Sequence, residues 1–403
     1  MDFTFNAADE AFREEIRAWL RANLPADIAA KARHQFHLPW TDMARWVKLL
    51  NADGKGWAVP NWTVAQGGPG WTLMQQYIFE EVLIEEDAPQ IDVGVAKMIG
   101  PIVNNFGSPE QIERFLGPWY RGETKFSQGF SEPNAGSDLA AISTTAVRVP
   151  GLSKDGGDDY IINGRKIWTS GGHFADWFYC LVKTDMAAKQ RGISLIMVPA
   201  KAPGVTVRPI IDISEEHNLN ELFFDDVRTS AANLIGEENK GWTYAKSLLE
   251  NERALSGEAP RNRRYLQVLK AIARDRTRCG VPLIEDPAFA ARIAQLESDL
   301  NSLEWMTLRA LTAKAGGDLA LPLGSILKVR GSELLQKITE MHIEALGDHG
   351  HYVHNYDDVP GSVPGPDYAP GLLTDFMYRR ATTIYGGSNE IQRTIIARQF
   401  LGL

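Results

Sequence analysis

The spacing of apolar residues changes twice along the chain. Up to about Glu123 it is helical. Phe12, Ile16, Trp19 and Leu20 recur at helical spacing in AFREEIRAWLRANL. In SPEQIERFLGPWY, Ser108 stands as N-cap, Pro109 at the first helical position and Gln111 at the third, which predicts a capped helix start. Between these, VPNWTVAQGGPGW is too rich in Gly and Pro for regular structure and predicts a long loop. From about Thr124 to Gly236 the pattern becomes short β-prone runs. WFYCLVKT, ISLIMVPA, VTVRPI and ELFFDDV read as strands, and the Asn163-Gly164 pair in YIINGRKIW predicts a hairpin. So many short strands indicate a small barrel or sandwich. From Glu237 the helical period returns. KGWTYAKSLLENERAL, PAFAARIAQLESDLNSLEWMTLRALTAKA and LGSILKVRGSELLQKITEMHIEALG are long and amphipathic, as in a four-helix bundle. An irregular insert from Tyr352 to Leu373 then leads to IYGGSNEIQR, where two glycines precede Ser388, the N-cap of a final helix. The predicted fold is α+β and multidomain, with a helical domain (1–123), a β domain (124–236) and a helical bundle domain (237–403).

Composition narrows the function classes. At 403 residues the chain is too long for one simple core. Its 44% hydrophobic and 23% charged content are ordinary for a globular protein. A net charge of −9 argues against a nucleic-acid partner, because phosphate binding needs a concentrated positive field. Two distant cysteines, Cys180 and Cys279, form no disulfide scaffold, so a reducing compartment is expected. The start MDFTFNAADEAF lacks a basic region before an apolar run, and no segment has the length of a bilayer span. A cytoplasmic protein with no membrane partner is therefore expected. His349, His351 and His354 have spacings a metal site uses, but they lie in a Gly-rich loop without a carboxylate–His helix pair, and no metal is expected. The RNRR run at 261–264 reads as a solvated helix face.

Four stretches together resemble the acyl-CoA dehydrogenase family: FSEPNAGSDL (130–139), INGRKIWTSGG (162–172), LFFDDVRTSAANLIGEENKGW (222–242) and IYGGSNEIQR (384–393). The resemblance implies FAD between the β domain and the bundle, in a homotetramer or heterotetramer. It places Gln128, Phe130 and Ser131 along the flavin and Ser137 toward the pantetheine or phosphate part of CoA. A loop so rich in exposed N–H groups suits close approach to a flat ring. Trp168 and Ser170 would pack against and hydrogen-bond the flavin, while Ser388 and Glu390 touch the FAD and Tyr385 borders the substrate. RDRTRCGVPL is similar to the family's Arg-x-x-Phe-Gly element, which reaches a neighbouring subunit's FAD. Arg276 and Gly280 match it, and Cys279 replaces the aromatic. Glu344 stands where the family has glutamine.

The family's reaction is α,β-dehydrogenation of an acyl-CoA, in which a carboxylate takes the α-proton and the β-hydrogen leaves as hydride to flavin N5. Electrons then pass to an electron-transferring flavoprotein. The residue after the tyrosine is very often the catalytic glutamate, and here it is Gly386. Glycine keeps the backbone N–H that helps to hold the thioester oxygen. Trp242, Ala245, Leu249 and Glu252 fall on one helical face, so Glu252 projects from an apolar stripe. Read alone, Glu252 is an ion-pair partner for Arg253 or for RNRR. Some family members carry their base at this Glu-Arg position, and together with Gly386 that makes Glu252 the candidate base and Arg253 a residue of the CoA entrance. Two alternatives stay open. One is a non-catalytic subunit of a heteromeric dehydrogenase acting on steroid side chains or dicarboxylyl-CoA. The other, an oxidase, fits less well because typical members are much longer.

Overall fold

The computed structural model describes residues 5–34, 37–153, 156–251, 257–312, 320–353 and 365–403. Glu252, Arg253, His354 and half of the 352–373 insert (354–364) lie outside the described residues.

Helices come first: α1 (Ala7–Asn23), α2 (Ala26–His34), α3 (Trp40–Leu50), α4 (Leu73–Glu85), α5 (Gly100–Phe106), α6 (Pro109–Gln111) and α7 (Gly117–Tyr120). The Ser108–Gln111 capping box forms as the spacing predicts, with Gln111 N donating to Ser108 Oγ at 3.2 Å. The apolar face of α1 buries Ile16 and Leu20 in a core with Trp46, Phe79 and Trp119. That core continues into the β region through Phe126, Tyr179 and Leu195.

The β region is one curled mixed sheet of seven strands: β1 (Phe126–Gly129), β2 (Thr145–Val149), β3 (Asp159–Lys166), β4 (Trp177–Lys183), β5 (Ile193–Pro199), β6 (Val205–Ile210) and β7 (Leu219–Ser230). Their order is β1-β4-β2-β3-β7-β6, with β5 on β4. The hairpin expected at Asn163-Gly164 does not form. β3 runs straight through the pair, and its register with β7 shifts there as a bulge. A Cβ on Gly164 would lie 2.7 Å from Thr144 Cα, so this glycine serves a close strand approach. Asn163 is turned sideways to Asp226, donating from Nδ2 at 2.8 Å.

The last region holds α8 (Gly241–Asn251), α9 (Ala259–Asp275), α10 (Pro287–Thr312), α11 (Ala320–Leu346), α12 (Leu372–Tyr378) and α13 (Asn389–Phe400). Helices α9, α10 and α11 share a leucine-rich core around Leu269, Leu300 and Ile338. The RNRR run is not a solvated face. Asn262 is fully buried, Arg261 nearly so, and Arg263 pairs with Glu304 of α10. Between α9 and α10 a tight hairpin, β8 (Thr277–Arg278) and β9 (Val281–Pro282), turns on Cys279 and Gly280, both at positive φ. No described helix is long and apolar enough to cross a membrane.

Candidate functional site

Two neighbouring loops of the β region carry one group of the predicted residues. Gln128, half-buried, lies in β1 opposite Tyr179. The Phe130 ring turns inward, edge-on to Tyr179 at 5.7 Å. Ser131 O accepts from Ile167 N at 2.9 Å, stitching this loop to the stretch after β3. Beneath both sits Lys166, whose fully buried Nζ donates to Phe130 O (3.2 Å), Leu181 O (2.6 Å) and Glu132 Oε1 (2.8 Å). Trp168 adopts φ 62° and is 57% exposed, unlike the core tryptophans Trp46 and Trp119. A non-glycine residue held left-handed with its ring in the open is a strained arrangement typical of ligand sites. Ser137 and Ser170 are exposed nearby. The hydroxyls of Thr169 and Ser127 are buried without a hydrogen-bond partner among the described residues. An open indole face beside unpaired hydroxyls and exposed loop backbone fits a flat heteroaromatic ring with carbonyls, as a flavin has.

The second group stands on the turn into α13. Ser388 caps this helix, accepting from Ile391 N at 3.4 Å, and Glu390 lies in its exposed first turn. Gly386 and Gly387 have φ 65° and 87°, a path that suits glycine. A Cβ on Gly386 would meet nothing within 4 Å, so open space lies where the family's glutamate side chain would begin. Gln392 Nε2 reaches back to the carbonyls of Gly386 (3.5 Å) and Gly387 (3.4 Å). Tyr385 is 40% exposed, its ring 6.2 Å from that of Tyr378.

A chain of contacts brings the two groups toward each other. Tyr378 meets His37 edge-on at 4.6 Å, and His37 Nδ1 lies 3.0 Å from Glu216 Oε2 on the β6–β7 loop. That loop holds the Trp168 stretch in turn: Asn218 O accepts from Gly171 N and Asn220 O from Thr169 N. Arg276 is not brought in. It ends α9, roughly 25 Å of helix away from Glu258 at the other end.

Glu258, which pattern reasoning does not single out, lies beside the turn. Its backbone is left-handed (φ 47°), and its Oε2 is 2.7 Å from Arg261 Nε and 3.8 Å from Arg379 Nη1. Burial works to raise its pKa, but the two arginines outweigh it and hold the carboxyl below the usual glutamate range. Arg379 is fully buried and also donates to Asp375 (3.0 Å) and Tyr265 (3.1 Å). Arg261 also bonds to Gln90, which lines a small cleft with Phe79, Leu83, Ile91, Val93 and Lys97. Glu344, the departure from the family's glutamine, pairs with Arg292 at 2.6 Å. A glutamate before a helix carries no periodic signal, so Glu258 is found only through its contacts.

Comparison with known proteins fits this geometry. Models of the acyl-CoA dehydrogenase N-terminal, middle and C-terminal domains match residues 6–123, 127–227 and 239–401. Acyl-CoA dehydrogenase IpdE1 of Mycobacterium tuberculosis is 34% identical over 98% of this chain and 97% of its own. IpdE1 of Mycolicibacterium smegmatis is 32% identical over the same shares. Among solved structures, the Tcur3481-Tcur3483 steroid ACAD superposes with a TM-score of 0.85 at 28% identity, covering 100% of this chain and 99% of that one. The ChsE4-ChsE5 complex from Mycobacterium tuberculosis gives 0.83 at 27% identity, with the same coverage.

Proposed function

The chain belongs to the acyl-CoA dehydrogenase family, whose members are FAD-dependent oxidoreductases, and from that premise we propose that it oxidises a bulky, ring-bearing acyl-CoA with Glu252 as base. The observation that carries this reading is the open space beside Gly386. The usual carboxylate is missing there, while the N–H that would hold the thioester oxygen is retained. Negative charge grows on that oxygen as the α-proton leaves, and a fixed donor placed there lowers the barrier. FAD, when bound, supplies the acceptor for the hydride that leaves the β-carbon. Trp168, Ser170 and the backbone at Gln128, Phe130 and Ser131 hold the ring. Ser388 and Glu390 hold the cofactor from α13, and Arg276 reaches the FAD of a neighbouring subunit. Ser137 and Arg253 line the CoA path, and Tyr385 walls the reacting carbons.

The superposition on a steroid ACAD supports a fused-ring acyl group. We assign an electron-transferring flavoprotein as electron acceptor and a tetramer as the assembly.

A second reading is a partner subunit of a heteromeric dehydrogenase. It is favoured by the two superposed structures, each of which carries two names. The test offers flavin-loaded protein straight, branched, dicarboxylyl and ring-bearing acyl-CoAs with an artificial electron acceptor. Turnover confined to ring-bearing thioesters supports the first reading. Failure with every thioester, relieved by a co-expressed second subunit, overturns it in favour of the second.

A further inference from the structure

The turn at Gly386 has no side chain of its own with which to hold its shape. Gln392 Nε2 holds the turn's two glycine carbonyls, and the turn's two ends both meet a single amine. Lys328 of α11 donates from Nζ to Thr382 O at 2.6 Å and to Asn389 Oδ1 at 3.3 Å. Thr382 lies three residues before Tyr385, and Asn389 lies three after Gly386. One and two helical turns further along the same face of α11 come Ser332 and Gln336. Ser332 Oγ exchanges hydrogen bonds with the Asn389 amide at 3.2 and 3.3 Å. Gln336 Nε2 donates to the carbonyls of Arg379 (3.0 Å) and Arg380 (3.1 Å). The face at 328, 332 and 336 is thus a ladder under the segment that carries Gly386, and Lys328 is its charged rung.

We propose that Lys328 is a positioning residue, clamping Thr382 to Asn389 and so aiming the Gly386 N–H at the thioester oxygen. The inference rests on the role proposed above for that N–H. Lys328 is 8% exposed, and burial lowers its pKa to about 8. The charged groups that face it among the described residues are Glu258, ahead of α9, and Glu390 of α13, and both oppose the shift. On its own helix, Arg330 is engaged with Asp299 and Glu333 with Arg393. Below about pH 8 the ammonium makes charge-assisted bonds to both ends of the turn. Above it a neutral amine makes weaker ones. Global stability moves the other way. A lysine whose folded pKa lies below its unfolded value adds stability as pH rises from about 8 toward 10.5, because the unfolded chain then binds more protons. Alkali should therefore loosen the turn while this group stabilises the fold.

Amide hydrogen exchange on FAD-loaded protein tests this, with rates divided by intrinsic exchange at each pH. In wild type the hydrogen-bonded amides flanking the glycines, Ile384 and Tyr385 (to Ala381 O) and Gln392 (to Ser388 O), should lose protection between about pH 7 and pH 9, while those at the centre of α10 keep theirs. Lys328→Met should show the loosened turn at pH 7, by about tenfold, the scale of one lost charge-assisted hydrogen bond. It should show no further loss with pH, and Lys328→Arg should restore protection. Unchanged turn protection in Lys328→Met, or loss spread evenly through α10, overturns the proposal. The wild-type pH series needs no substitution, so it decides the matter even if Lys328→Met fails to fold. A loosened turn with an unchanged rate of flavin reduction by acyl-CoA would support the clamp and overturn the oxyanion role of Gly386.

Discussion

Lys166 carries its amine where water does not reach, and Glu132 supplies the opposing charge at 2.8 Å. Burial alone would raise the Glu132 carboxyl. The Lys166 charge and bonds from Ser143 and Thr144 reverse that and hold it at about 2. Lys166→Met leaves that carboxylate buried without its cation and should cost about 3–5 kcal/mol, read by urea unfolding. A carboxyl whose folded pKa is depressed contributes stability above its unfolded value near 4.3, and that contribution fades as pH falls toward 2. The stability difference between wild type and Glu132→Gln should accordingly be full at pH 6 and narrow steadily below about pH 4.5. At Gly387 a Cβ would lie 2.5 Å from Gln392 Nε2 at φ 87°, so Gly387→Ala should lower stability by about 1–2 kcal/mol. Motif residues such as Trp168, Ser388 and Gly386 could be proposed one by one from the sequence, because their types and neighbours are informative. Lys166, Lys328 and Glu258 could not, since each has a partner 34 to 121 residues away in sequence (Glu132, Thr382 and Arg379) that only folding names.

At the scale of elements, periodicity gave the helices and most strands, and the turn chemistry misled once. Asn-Gly favours a hairpin when nothing else competes. Here β3 has partners on both edges, β2 and β7, and the glycine is needed where Thr144 crosses it. Gly164→Ala should therefore cost about 2–4 kcal/mol from overpacking and strain, whereas a glycine in an open turn would tolerate the change far better. Thermal unfolding of Gly164→Ala beside Gly136→Ala, whose Cβ would meet nothing within 4 Å and whose backbone is not left-handed, checks this. The real two-residue hairpin sits at Cys279-Gly280, a pair that lacks the usual Asn or Asp before its glycine. The RNRR run misleads because a charge pattern does not reveal whether its carboxylates lie in solvent or, as Glu304 does, inside.

At the scale of the whole molecule, the site belongs to no single region. His37 from the first, Glu216 from the sheet and Tyr378 from the bundle meet between the Trp168 loop and the Gly386 turn. Sequence order shows the three regions but not this junction, which links residues up to 341 positions apart. The role proposed for Arg276 extends the same pattern, with a neighbouring subunit completing the site. The central claim is that the carboxylate missing at Gly386 is replaced by Glu252. Anaerobic mixing of FAD-loaded protein with a ring-bearing acyl-CoA tests it most directly, by following the flavin absorbance in wild type and Glu252→Gln. Rapid bleaching is predicted in wild type and none on the same timescale in Glu252→Gln, with FAD content and thioester affinity preserved. Equal bleaching in both proteins would contradict it.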